Sequence, residues 1–164
     1  MRTEPVDTSV PVVDPLSGRR ILVGISGSIA AVKLPLVVSA LAQRGADVRC
    51  VLTPAAAQLV SPVALASLSR QSCCLDADQW SHRAPRPLHV ELAEWAELVL
   101  VAPLSATSLG RWVHGLADTL LASTLLATEA PVLAAAAMNT AMWASPAVRR
   151  NWELLQADAR VLPL

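Results

Sequence analysis

The sequence predicts an α/β protein: a single domain on a doubly wound, Rossmann-like or flavodoxin-like parallel sheet with helices on both faces. Three observations carry that expectation. Continuous short apolar runs at residues 21–25, 98–102 and 132–136 lack the strict alternation of a half-exposed strand and suit strands buried on both faces, and further strands are expected at 47–53 and 160–162. Helical segments separate them, as parallel crossovers require. A length of 164 residues is enough for one such domain and short for two.

Taken in order, residues 1–18 read as a flexible leader ending in a turn at Ser17 and Gly18, and residues 19–164 as the ordered domain. The first strand, ILVGI at 21–25, runs straight into Ser26, Gly27 and Ser28. A helix is expected over 29–44, with Gly45 closing its C-terminus and Pro35 kinking it or marking a late first turn. After the second strand come helical stretches at 54–60 and 62–69, then an irregular segment over 71–88 that holds Cys73, Cys74 and Trp80. A short helical turn at 89–95 precedes the third strand, helices at 105–112 and 118–128 the fourth, and a helix at 140–155 the fifth.

Composition excludes several function classes. Thirteen basic residues balance thirteen acidic ones, so there is no bulk field to draw in nucleic acid or an anionic membrane. At 54% hydrophobic the chain is no disordered segment. With no Phe or Tyr and five Trp, its core depends on small aliphatic side chains. No CxxC or HExxH spacing suggests a metal site. Three cysteines, an odd number, fit reduced thiols in the cytoplasm. No signal peptide and no transmembrane run is expected.

Function should lie at the C-terminal ends of the strands. The first ends in GISGSIAA at 24–31, where Gly24 and Gly27 allow close approach, Ser26 and Ser28 supply hydroxyls, and the helix start favours a phosphate. A tight turn with a serine cap is the competing explanation. There is no GxGxxG, and Thr53 stands where a dinucleotide site carries the ribose carboxylate, so a mononucleotide, specifically a flavin mononucleotide, fits better than NAD. Ser105, Thr107 and Ser108 flank Ala106 at the end of the third strand, and Met138 and Asn139 follow the fourth.

Four ordered motifs carry a resemblance to the homo-oligomeric flavin-containing cysteine decarboxylases, above all to the phosphopantothenoylcysteine decarboxylase domain of the bifunctional coenzyme A synthesis proteins. GSIAA at 27–31 resembles the family's phosphate loop, and LHVELAEWAELVLVAPLSATS at 88–108 resembles its HIELxxWAD…PASANT block. HGLADTLL at 114–121 and AAMNTAMW at 136–143 resemble its N/H-G-I-A-D-x-L-L and P-x-M-N-x-x-M-W motifs. Thr107 stands where PASANT has Asn, and Ala136 where the last motif has Pro. The chain ends at Leu164, where the family's substrate clamp would follow.

The resemblance implies FMN held by Gly24, Ser26, Gly27, Ser28, Thr53, Ser105, Ala106, Thr107, Ser108 and Met138, and a substrate met by Thr107, Met138 and Asn139. It makes His89 the thiol base and Asn139 its catalytic partner. It further implies a homo-oligomer, a trimer or a multiple of trimers, with FMN between subunits. The implied reaction is decarboxylation of 4'-phosphopantothenoylcysteine to 4'-phosphopantetheine. Oxidation of the cysteine side chain to a thioaldehyde, with hydride passing to the flavin, supplies the electron sink that loss of carbon dioxide needs. A peptidyl-cysteine decarboxylase releasing an enethiol is one alternative, and a non-catalytic flavin-binding or regulatory subunit another. Among the remaining residues, Asp118 is expected to cap the following helix or touch a neighbouring subunit, and His114 to be structural. Arg111, Arg149 and Arg150 are read as solvated charges, with contact between one of them and a substrate phosphate as the alternative. Trp112 is expected at a subunit contact, while Trp95 and Trp143 sit within motifs.

Overall fold

The computed structural model describes residues 14–80 and 85–164. Most of the expected leader lies outside them, but its last residues do not hang free. Asp14 pairs with Arg44, Gly18 N–H donates to the Gly45 carbonyl at 2.8 Å, and Leu16 packs on the core.

Six strands form one wholly parallel sheet: β1 (Arg20–Ile25), β2 (Asp47–Leu52), β3 (Cys73–Leu75), β4 (Leu98–Leu104), β5 (Val132–Ala136) and β6 (Val161–Pro163). Their order is β3-β2-β1-β4-β5-β6, the Rossmann arrangement rather than the flavodoxin one. One strand more than expected is present. β3 lies in the segment expected to be irregular, because three residues at a sheet edge carry too little pattern to register.

β1 is buried from Ile21 to Ile25 because β2 and β4 pair with its two edges and helices cover both faces. One face carries Val23, Val48, Cys50 and Leu52 under α1 (Leu34–Gln43) and α3 (Pro62–Ser69). The other carries Leu22, Val51, Val99 and Val101 under α4 (Leu88–Trp95), α5 (Ala106–Val113), α6 (Leu120–Ala127) and α8 (Pro146–Gln156). Leu121 of α6 comes so close that a β-carbon on Gly24 would stand 2.5 Å from its Cδ1. Trp112, expected at a subunit contact, is only 4% exposed and belongs to this core.

Helix starts follow local chemistry. Thr53, Ser61, Ser105 and Thr119 each accept a backbone N–H at the start of a helix, and prolines at 54, 62 and 146 occupy first-turn positions where no N–H is needed. The short α2 (Pro54–Ala57) begins this way. Proline also splits two expected helices. Residues 29–33 form a 3₁₀ turn and α1 proper starts at Leu34, which puts Pro35 in its first turn. The helix expected over 140–155 is two, α7 (Thr140–Ala144) and α8, since Ser145 precedes Pro146 and adopts an extended backbone. Gly45, at φ 84°, closes α1 as expected. No helix among the described residues is long and apolar enough to cross a membrane.

Candidate functional site

The strand order reverses between β1 and β4, so the chain leaves these neighbouring strands in opposite directions and a cleft opens at their C-terminal ends. One buried hydroxyl ties its two walls together. Ser26 Oγ donates to the Pro103 carbonyl at 2.6 Å and accepts the Ser105 N–H at 2.7 Å, across 77 and 79 residues of sequence.

The cleft has two ends of different character that share Gly27, Ser105 and Thr107. The smaller, about 230 Å³, is further lined by Thr53, Pro54, Ala55, Ser108, Arg111 and Thr119. Among the described residues, five hydroxyls and a guanidinium face it, and no carboxylate does. Thr53 Oγ1 accepts the Ala56 N–H at 3.3 Å and Thr119 Oγ1 the Ala122 N–H at 3.1 Å, so each keeps its own proton for donation. The larger end, about 590 Å³, is bordered by Ser28, Ile29, Ala30, Ala106, Ala137, Met138, Asn139 and Met142. It suits a flat apolar group with a polar edge. Asn139 caps α7: its Oδ1 accepts the Ala141 N–H at 2.8 Å, which leaves its NH₂ to donate elsewhere.

Most of the residues singled out in the sequence meet here, with three exceptions. Gly24 lies inside β1 against Leu121 and does not line the cleft; its missing side chain serves helix packing. Ser26 is fully buried and acts as the tie just described. His89, on the first turn of α4, borders a separate hollow of about 390 Å³ with Gln79, Trp80, Ala117, Ser123, Leu126 and Ala127. One copy of the chain therefore does not join His89 to Asn139. The Gln79 side-chain amide meets His89 Nδ1 at 3.4 Å, and Trp80 stacks edge-on against the ring. A carboxamide serves either tautomer by turning end for end, and Nε2 has no partner among the described residues.

Two further expectations are corrected. Thr119, and not Asp118, caps α6; the Asp118 carboxylate instead receives Arg111 Nε with both oxygens, at 2.9 and 3.0 Å. Arg111 is accordingly no free surface charge: it is paired with Asp118, partly exposed, and part of the cleft wall. Its position is recoverable from spacing, since Thr107, Ser108 and Arg111 are four and three residues apart on one helix and share a face. Gln79 and Thr119 carried no such signal. His114 lies outside the cleft, with Nε2 3.2 Å from Asn151 Oδ1. The thiols stand apart from the cleft, and burial pushes Cys50 and Cys73 up to about 12 and Cys74 to about 11.

A family model described as Flavoprotein matches residues 10–163. The chain belongs to the flavoprotein family. Within it, the coenzyme A biosynthesis bifunctional protein CoaBC of Bacillus subtilis is 40% identical over 144 residues, which are 87% of this chain and 35% of that protein. The chain thus spans about a third of that relative's length. Phosphopantothenoylcysteine decarboxylase of Mus musculus is 40% identical over 141 residues, 84% of this chain and 69% of that protein. The solved structure of the FMN-dependent cysteine decarboxylase SpaF superposes with a TM-score of 0.83 at 34% identity, covering 90% of this chain and 85% of that one. For a flavoprotein the cleft is chemically apt: a donor-rich pocket adjoins a wider one lined by Ile29, Ala137, Met138 and Met142.

Proposed function

We propose that this flavoprotein is an FMN-dependent cysteine decarboxylase of the cytoplasm, acting on 4'-phosphopantothenoylcysteine in coenzyme A synthesis. The observation that carries the proposal is the two-ended cleft at the β1–β4 reversal, whose hydroxyl and guanidinium donors suit a phosphate and whose Met- and Asn-bordered end suits a ring and a carboxylate. The names of the relatives point the same way.

FMN, when bound, would accept two electrons from the cysteine side chain, which creates the sink for the electron pair released with carbon dioxide, and would return two electrons to the resulting enethiol, so that the thiol product is redox-neutral overall. The chain's own residues position and deprotonate. Ser105, Thr107 and Ser108 open α5 with their hydroxyls toward the cleft, and the unpaired N–H groups of that helix start favour negative charge. Asn139 directs its NH₂ at the substrate carboxylate, its oxygen being held by Ala141. His89 takes the thiol proton through Nε2 while Gln79 orients the ring from Nδ1.

Because His89 opens on a different hollow, the working centre combines the cleft of one copy with the His89 face of another, in a trimer or a multiple of trimers. Exposed apolar side chains border both halves: Ile29, 75% exposed, at the cleft, and Trp80, equally exposed, beside His89. Protein purified with FMN and incubated with the phosphopantothenoyl substrate should release product lacking the carboxyl group, and His89→Asn should abolish that release while retaining flavin. Absence of flavin affinity, or a fully active monomer in sedimentation, would sink the proposal. Turnover of a peptide ending in cysteine, with no turnover of the pantothenoyl compound, would move the substrate to the peptide class.

A further inference from the structure

We propose that Arg111, held in place by Asp118, is the cation that receives the phosphate monoester of the flavin and makes the cleft select FMN over riboflavin. The inference rests on the flavin assignment above. Arg111 stands on the second turn of α5, with Thr107 and Ser108 on the same face, and together they line the smaller end of the cleft with Thr53 and Thr119. Asp118 engages only the Nε edge of the guanidinium. The terminal nitrogens Nη1 and Nη2 meet no acceptor among the described residues, and they form the fork that matches two phosphate oxygens.

The surrounding chemistry agrees. A pocket walled, among the described residues, by five hydroxyls and one guanidinium, with no carboxylate, is short of acceptors and rich in donors. Asp118 is engaged by Arg111 Nε, and Asp76, the other nearby acid, is occupied by the Leu120 N–H at 3.0 Å; neither lines the cleft. As a mere staple between α5 and the start of α6, an ion pair with side chains 34% and 56% exposed would contribute little to stability. As a positioning contact, Asp118 restrains a long, rotamer-rich side chain in the orientation an incoming phosphate needs. The wider end, bordered by Met138 and Met142, then takes the ring system, so the cleft has a defined polarity.

The test compares dissociation constants for FMN and riboflavin, read from quenching of flavin fluorescence by the flavin-free full chain. Arg111→Gln should weaken FMN about tenfold or more, the scale of a lost charge-assisted hydrogen bond, and leave riboflavin within about twofold. Arg111→Lys should recover part of the FMN affinity, and Asp118→Asn should give a smaller loss, again for FMN only. Riboflavin binding reports that each variant has folded. Equal losses for both flavins would make Arg111 a structural residue and overturn the proposal, as would unchanged FMN binding. A variant with normal flavin binding and a raised KM for phosphorylated substrate alone would hand the site to the substrate's phosphate, also against it. Should the unsubstituted chain bind neither flavin, the flavin assignment itself would fall.

Discussion

Replacing Ser26 by Ala removes one oxygen from a site with no solvent exposure and tests how the cleft is built. The hydroxyl makes two bonds, to the Pro103 carbonyl at 2.6 Å and from the Ser105 N–H at 2.7 Å. The consequences for its partners differ. Pro103 keeps the Ser26 backbone N–H at 3.2 Å, so its carbonyl stays partnered, whereas Ser105 N–H loses its acceptor. A buried donor left unpaired costs roughly 1–3 kcal/mol, and with water partly able to reach Ser105 the lower half of that range applies, about 1.5 kcal/mol. For a domain of this size that lowers the melting temperature by roughly 3–6 °C. Because Ser105 also caps α5, the loosened loop should weaken flavin binding as well. Thermal unfolding by circular dichroism of the flavin-free protein, followed by fluorescence titration with FMN, measures both. A melting temperature within 1 °C of the parent, about the error of such a scan, would show that the two loops are not held by this hydroxyl and would refute the argument.

Two further outcomes follow from the same geometry. Gly27→Ala brings a β-carbon to 2.5 Å from Ala55 Cβ, a clash with the first turn of α2 that only backbone movement relieves; it should cost about 1–3 kcal/mol and most of the flavin affinity. Gly24→Ala meets only the mobile end of Leu121, so it should lower stability and spare FMN binding, and equal flavin loss in the two variants would contradict that division. The Cys74 thiol, raised to about 11 by burial, is protonated at neutral pH and ionises only as pH climbs. Alkylation of native protein at pH 8 should therefore run about a hundredfold slower at this residue than after unfolding in denaturant, and should quicken about tenfold per pH unit. A rate that levels off below pH 10 would show the thiol to be unperturbed.

The fold class was legible because its cause is local. Strands covered on both faces must be apolar at nearly every position, and four helices announce themselves by a hydroxyl cap, at Thr53, Ser61, Ser105 and Thr119, the first two with proline behind it. The Gly27–Ser28 loop and the Ser105–Ser108 cluster were found for the same reason: strand ends and helix starts are written in consecutive residues. What eluded the sequence was weakly patterned or depended on packing. β3 is three residues long and draws its pairing from β2. Asp118 sits one residue before the true cap, and only the approach of α5 gives it Arg111 as a partner.

Consecutive residues were thus enough for the parallel sheet, the phosphate-suited loop and the flavoprotein resemblance. Folding made three choices they could not express. It turned Ser26 from a ligand group into the tie between two loops 77 residues apart, turned Arg111 from a surface charge into a cleft wall, and opened His89 onto a hollow away from Asn139. The physical reason is common to all three: hydrogen bonding, burial and access depend on atoms brought within a few ångströms by the reversal of strand order, and that reversal is a property of the assembled sheet, not of any segment within it.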